Sequence, residues 1–522
     1  MPSSPAPRTP RLLFWGAAAA ASIAAIPLLY LVIRITGSGI DSILEVLSRG
    51  RTWETAGTSL GLAFTVIIAS LAISYPTALI LTRVHVPFPR SFFTLAVLPL
   101  AIPSYVAAYA WLAQFPAMSG FWAAALILTL VSFPYTFLPI IVSLRTSDHS
   151  LEQVARSLGR TPITAFLATS FRQSTPAAAA GSLLIGLYVL SDFGVVALFR
   201  VDTFTRVIYS TYRASFDKTS AAVLAGILVL LAIILISLER KARGRTLRYR
   251  PDRGVANSLS RLTSTRGIRS ASVAWLTGLA TTSLLIPTAS LFILMSEGTR
   301  ALDWGELTTA VINTVVVSFV GAVIAVGLAL PIAALTSRFR NRKSAAIESL
   351  SYSGLALPGV VIGLSLVFLS INVFPAIYQS FFLLAFAYAV LFLPKSLGAS
   401  RSAFESTPPV LEQVARSLGK KPMSAWMFTT GRLSLTGVAA GGLLVMLTSM
   451  KELPATLMLR PTGFETLATE LWNRTELAAY GAAVPYALAL IAVAAIPAFL
   501  LSKAILVTKS EEKRPTEISI SA

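Results

Sequence analysis

The chain has 522 residues, 55% of them hydrophobic and 13% charged, with a formal net charge of +20 and no cysteine; its mean hydropathy is +0.73. A soluble globular enzyme, with a charged fraction of about 25%, is excluded, and so are disulfides, thiolate chemistry and Cys/His zinc sites, since the only histidines are His85 and His149. A bilayer core about 30 Å thick takes about 20 apolar residues per helix, so the expected fold is an all-α polytopic membrane protein with about 12 spans.

In chain order the apolar blocks fall at 12–36, 57–82, 92–115, 121–143, 176–198, 219–238, 271–296, 309–336, 349–371, 375–394, 436–459 and 479–506. They are unbroken rather than alternating, which argues against a β-barrel. The first carries no charge from Leu12 to Ile33, longer than the roughly 7–15 residues of a secretory core, and reads as a retained anchor. Between the sixth and seventh blocks, residues 239–270 hold Arg240, Lys241, Arg243, Arg245, Arg248 and Arg250 among other arginines, against Glu239 and Asp252. The positive-inside rule makes this linker cytoplasmic, together with both termini and the loop of Arg338, Arg340, Arg342 and Lys343. Tyr249 is its one aromatic, too few stacking surfaces for nucleic acid, so a lipid-facing linker is expected and no nucleic-acid partner.

The strongest signal is internal. LEQVARSLGR at Leu151–Arg160 and LEQVARSLGK at Leu411–Lys420 lie 260 residues apart and differ only in the last residue. The same offset pairs Pro162 with Pro422, Arg172 with Arg432, Gly181 with Gly441, Asp192 with Glu452, Arg200 with Arg460 and Phe204 with Phe464. An offset of 255 pairs Pro76 with Pro331, Pro103 with Pro358 and Pro139 with Pro394. Residues 1–238 and 271–522 therefore read as two six-span repeats of one orientation around the linker 239–270, related by an axis along the membrane normal. The small-residue starts of the fifth and eleventh spans, Ala177–Gly181 and Gly437-x-x-x-Gly441, read as the contact between the halves.

The repeated loop predicts a helix, a bend and a second helix. Ser150 with Gln153 has the form of a capping box, Gly159 suits a left-handed C′ position, and Thr161 followed by Pro162 opens the next helix. The second copy has Val410 in place of the capping serine, and Thr407 with Pro408 is the expected start.

This segment resembles the cytoplasmic EAA loop, E-A-A-x-x-x-G, of the permease subunits of binding-protein-dependent ABC importers, as Gln153–Gly159 and Gln413–Gly419. Both copies carry Gln where the family has Glu, with Glu152 and Glu412 one place earlier, and Arg172 and Arg432 where a later Pro is common. The resemblance implies that Glu152, Gln153, Ala155, Arg156 and Gly159, with Glu412, Gln413, Ala415, Arg416 and Gly419, form loops that dock on a cytoplasmic ABC ATPase, expected as a dimer. It also implies an extracytoplasmic substrate-binding protein and a bacterial inner-membrane location. No G-x-x-x-x-G-K-[ST] occurs in the chain, so ATP and Mg are expected on the partner ATPase, with no cofactor or metal here and no enzymatic activity of the chain itself. Lys451–Thr456 with Arg460 and Pro461, and Ser191–Gly194, look most like the ferric-iron permeases, while thiamine and phosphonate permeases share the double length.

For the translocation path, Asp192 and Glu452 are equivalent acids near membrane depth, with Lys451, Arg200 and Arg460 close by in sequence. Two readings stay open: the acids face a cation pathway, or they sit in the outer interfacial zone paired with those basic residues. An ion-coupled secondary transporter with parallel repeats is the competing class.

Overall fold

The computed structural model describes residues 10–147, 150–214, 218–244, 265–296 and 303–511. Every regular element among them is helical, and the chain is an all-α polytopic membrane protein. Among the described residues, eight helices are long and apolar enough to span a bilayer, and four bent pairs bring the number to twelve. Most of the linker, at 245–264, and His149 lie outside the described residues.

Two of the bent pairs turn the third and ninth apolar blocks through nearly a right angle. Pro89–Ala101 meets Ser104–Gln114 at 96°, and Arg342–Gly354 meets Gly359–Val373 at 99°. The cause is local: Ile102 and Leu357 are extended (ψ 125° and 108°) ahead of Pro103 and Pro358, which stand at the N-caps of the following helices. A residue before proline avoids the α region, so both spans break there, and neither limb alone crosses about 30 Å. Pro76 and Pro331, in contrast, lie inside continuous helices, Gly50–Arg83 and Trp304–Arg338.

Two compact units emerge: residues 34–301 with 474–484, and the remainder of the chain. They differ from the sequence halves 1–238 and 271–522 by an exchange of first helices. Arg11–Gly37 presents Ala17, Ala20, Ala21 and Ala24, spaced along one helical face, to Ala329, Ile332, Ala333 and Leu335 of the second repeat. Small side chains there let backbones approach closely, which is what drives helix association in lipid. Reciprocally, Leu276 and Leu279 of Arg266–Ala280 pack with Ala78, Leu81, Phe133 and Phe137 of the first repeat. In the same unit the Trp275 indole N–H donates to Thr77 Oγ1 at 3.0 Å.

The small-residue stripes are used inside each unit. A Cβ on Gly181 would strike the backbone of Tyr135 and Thr136, and Cβ atoms on Gly437 and Gly441 would meet Ala403 and Ala399 of Phe381–Ser406. The repeat register also shifts beyond Arg460. Ser59 Oγ accepts from the Phe204 N–H at 3.0 Å and Thr314 Oγ1 from the Leu467 N–H at 2.9 Å, each at a helix start. Leu467, not Phe464, is therefore the structural equivalent of Phe204.

Ala21 is fully buried and Leu29, on the same helix, is 53% exposed. Ala21→Phe should cost about 1–3 kcal/mol by overpacking and lower the thermal midpoint of the detergent-purified chain, with Leu29→Phe near neutral as the control.

Candidate functional site

Each repeated loop folds as a helix closed by a Schellman turn. In Ser150–Ser157 the Arg160 N–H donates to Ala155 O (3.2 Å) and the Gly159 N–H to Arg156 O (3.0 Å); in Val410–Ser417, Lys420 and Gly419 make the same bonds to Ala415 and Arg416 at the same lengths. Gly159 and Gly419 have φ of 86° and 84°, a left-handed conformation that glycine reaches without steric cost. Pro162 and Pro422 then open the second helices, with Thr161 Oγ1 accepting from the Thr164 N–H. The expected start at Thr407 is corrected: Thr407 is the C-cap of Phe381–Ser406, and Pro409 stands at the N-cap of Val410–Ser417.

Of the adjacent Glu152 and Gln153, the helix turns one in and one out, since neighbours sit about 100° apart around the axis. Gln153, Arg156, Gln413 and Arg416 are exposed, and Ala155 and Ala415 are half-buried. Glu152 is buried and held by Arg83 in a two-pronged pair, Nη1–Oε1 2.5 Å and Nη2–Oε2 2.7 Å. Ser170 Oγ donates to Glu152 Oε2 at 2.8 Å and accepts from Arg83 Nη2 at 3.2 Å, and the Arg83 guanidinium stacks 5.4 Å from the Phe166 centroid. Three elements are thereby tied at one point: the last residue of Gly50–Arg83, the loop helix, and the first residue of Ser170–Ser191. The planar guanidinium fork suits a carboxylate in this bidentate geometry.

The second copy repeats the arrangement more loosely. Arg338 Nη2 reaches Glu412 Oε1 (3.0 Å), Thr407 O (3.1 Å) and Thr430 Oγ1 (3.2 Å), and Thr430 Oγ1 also donates to Glu412 Oε1. The side chains of this pair are 17% and 24% exposed, against 9% and 8% for Arg83 and Glu152. Sequence reasoning missed the clamp, although its signal was present: Arg83 and Arg338 are 255 apart, and Ser170 and Thr430 are 260 apart. His85, two residues past Arg83, is exposed.

Outward, the loops present apolar side chains at matching positions. Leu158 and Leu418 are each 78% exposed, and Leu151, Val154 and Ile163 correspond to Leu411, Val414 and Met423, all exposed. The exposed Gln153, Arg156, Gln413 and Arg416 lie on the same helices, and exposed apolar side chains with a polar rim are found at protein-partner and membrane surfaces.

The second pair of candidate residues has a different local job. Asp192 is buried, its Oδ2 accepting from Ser104 Oγ (2.5 Å) and its Oδ1 from the Val195 N–H (2.9 Å), so it caps Gly194–Leu198. Glu452 is buried likewise, with Oε1 accepting from the Ala455 N–H (3.1 Å) and Oε2 from the Thr456 N–H (3.0 Å) and Oγ1 (2.9 Å), capping Pro454–Leu459. The longer acid of the second repeat is matched by a smaller neighbour. Gly359 is the 255-offset equivalent of Ser104, and a Cβ there would collide with Glu452 Oε1. Arg460 pairs with Glu465, Arg200 is exposed in a left-handed conformation (φ 58°), and Lys451 is half-buried beside Glu452.

Two predictions follow from these packings. Arg83→Ala leaves Glu152 buried without its cation and should cost about 3–5 kcal/mol, with Arg338→Ala costing less; Arg83→Ala/Glu152→Ala should recover part of the loss in a thermal-unfolding double-mutant cycle, whereas additive losses would contradict the clamp. Asp192→Glu should destabilise by about 1–3 kcal/mol through overpacking against Ser104, and Ser104→Gly in the same chain should restore stability by reproducing the Glu452/Gly359 pair.

No family model matches the chain. It is 34% identical over 482 residues to the Fe(3+)-transport system permease protein FbpB 2 of Haemophilus influenzae, covering 92% of this chain and 95% of that one. A probable molybdenum ABC transporter permease of Haloferax volcanii is 30% identical over 232 residues, 42% of this chain and 84% of its own length. A putative 2-aminoethylphosphonate transport system permease of Salmonella typhimurium is 32% identical over 116 residues, 22% of this chain and 41% of its own. The half-length match to a single-repeat permease and the full-length match to FbpB 2 agree with two helix–bend–helix loops built alike, and the chain belongs to the ABC transporter permease family as a fused two-repeat member.

Proposed function

We propose that this permease imports ferric iron, delivered by an extracytoplasmic binding protein and driven by ATP hydrolysis on a cytoplasmic ABC ATPase that docks on the two repeated loops. The observation that carries the coupling is the pairing of exposed apolar side chains with the clamp beneath: Leu158 and Leu418 stand out from helices whose Glu152 and Glu412 are held by span-end arginines. A partner gripping the outer face would pull on two spans of each unit at once. In this reading the loops, the linker and both termini are cytoplasmic, and Gln153, Arg156, Gln413 and Arg416 meet the ATPase.

Iron as cargo is supported by the full-length likeness to a Fe(3+)-transport permease. An oxyanion is the second reading, supported by the partial likenesses to molybdenum and 2-aminoethylphosphonate permeases. The test is uptake of labelled ferric iron into proteoliposomes holding the chain, its ATPase and its binding protein, with molybdate and 2-aminoethylphosphonate as competitors. ATP-dependent iron uptake is expected; uptake that follows a proton gradient without ATP would make the chain a secondary transporter.

Proline fixes φ near −65°, far from the 86° and 84° of Gly159 and Gly419. Gly159→Pro or Gly419→Pro should therefore abolish ATP-dependent uptake while the chain's membrane level stays normal, as read by uptake alongside quantitative immunoblotting.

A further inference from the structure

A cleft lies at the far end of the helix that Arg83 closes. Gly50–Arg83 has 34 residues, about 50 Å at a rise of about 1.5 Å per residue. With Arg83 on one side of a hydrocarbon core about 30 Å thick, its first turn stands beyond the other side. There a cleft of about 360 Å³ opens between Ile40–Ser48, Gly50–Arg83, Phe204–Ala214 and Lys218–Gly244, at the lower end of the size range of small-molecule sites. Its whole lining belongs to one compact unit.

The lining combines charge, hydroxyls and apolar surface. Arg49 Nη1 donates to Ser220 Oγ at 3.1 Å and Nη2 to Glu45 Oε1 at 2.8 Å. Arg51 Nη2 lies 3.5 Å from Asp202 Oδ2, and Asp202 also pairs with Arg206. Three guanidinium groups thus share two carboxylates. The pairs are open to water, with the Arg51 side chain 73% and that of Glu45 67% exposed, and such pairs hold weakly enough to exchange for a better-placed anion. The threonines have the opposite duty. Thr52 Oγ1 donates to Val46 O at 2.7 Å and Thr55 Oγ1 to Arg51 O at 2.8 Å, so each hydroxyl proton is engaged and what the oxygen offers the cleft is an acceptor. Val46, Val207 and Leu224, all buried, supply the apolar part.

The second repeat shows that this chemistry is not a by-product of the scaffold. The register fixed by Ser59 and Thr314 puts Trp304, Glu306, Leu307 and Ala310 where the first repeat has Arg49, Arg51, Thr52 and Thr55. With Leu467 equivalent to Phe204, Glu470 stands at the place of Val207. Both arginines and both threonines are gone, and two acids have entered.

We infer that the cleft of the first repeat binds a small hydroxycarboxylate, with its carboxylates on Arg49 and Arg51, its hydroxyl donating to Thr52 or Thr55, and its carbon chain against Val46, Val207 and Leu224. In the importer reading this end is extracytoplasmic, but the site stands whatever the cargo. An occupant would tie four helices together at the end opposite the clamp.

The probe is L-malate, with succinate, the same two carboxylates without the hydroxyl, as its comparison, titrated calorimetrically into the detergent-purified full chain at low salt. Malate should bind several-fold tighter than succinate. Arg49→Gln and Arg51→Gln should each weaken malate about tenfold; Arg51 is exposed enough for its loss to leave the fold intact, which a thermal melt of the unliganded variant verifies. Thr55→Val should narrow the preference for malate while leaving succinate unchanged, and Glu306→Gln in the second repeat should change neither. Absence of malate binding to the folded chain, or equal binding by the Arg49→Gln/Arg51→Gln double variant, overturns the site. Equal affinity for malate and succinate overturns the role of the threonines, and a hexaglutamate peptide that binds where malate does not would make the cleft a docking face for an acidic protein segment instead.

Discussion

A buried arginine at the end of a membrane span, gripping the acid in the first turn of the repeated loop helix, is the joint on which the architecture turns. Without it the loop helix would be a short surface element, eight residues long in the Ser150–Ser157 copy, well below the length at which an isolated helix is stable in water. With it, Gly50–Arg83, the loop and Ser170–Ser191 meet at the Arg83–Glu152–Ser170 cluster. The cost of removing two charges from water is offset by bidentate geometry and by the serine hydroxyl that donates to Glu152 Oε2. The result is orientation: the acid is fixed inward, and Leu151, Val154 and Leu158 must therefore face out.

The two repeats keep this joint and diverge elsewhere by compensation. Where the first half has a short acid and a serine, Asp192 with Ser104, the second has a longer acid and a glycine, Glu452 with Gly359. The sum of the two side chains is conserved in volume although neither is conserved in kind, and both acids still cap a short helix. The second repeat alone carries lysines at 395 and 451, where the first has Ile140 and Ser191, so the duplicated scaffold is alike at the clamped loops and unlike along its spans.

Much of this was legible in the residues. Each apolar block found a span, although 375–394 falls on Phe381–Ser406 and 436–459 runs well past the end of Leu435–Ser449, and the copied LEQVARSLG stretch predicted the helix, the left-handed glycine and the Pro-opened second helix. The exchange of first helices was not legible, because the Ala17–Ala20–Ala21–Ala24 stripe reveals a contact face without naming the helix that fills it. Pro103 and Pro358 read as kinks or helix ends, and what was hidden is the size of the bends, because hydropathy sums apolar character and ignores direction. The clamp escaped since arginines at span ends read first as orienting charges, and the partner of Arg83 is 69 residues away. The displaced register after Arg460 shows the same limit: Phe204 and Phe464 match as letters, whereas the hydroxyl of Thr314 selects the N–H of Leu467.

If the clamp makes each loop helix a rigid extension of its spans, then in the proposed importer ATP binding by the ATPase must move loop and span together. The direct measurement is a spin–spin distance by pulsed electron resonance between Ser157→Cys on the loop helix and Gly57→Cys near the far end of Gly50–Arg83, in the chain assembled with its ATPase. The account predicts an unchanged distance and width on adding a non-hydrolysable ATP analogue, and broadening once Arg83→Ala is introduced. A distance that shifts in the intact chain on nucleotide binding would mean that the loop slides on its span, and would contradict it.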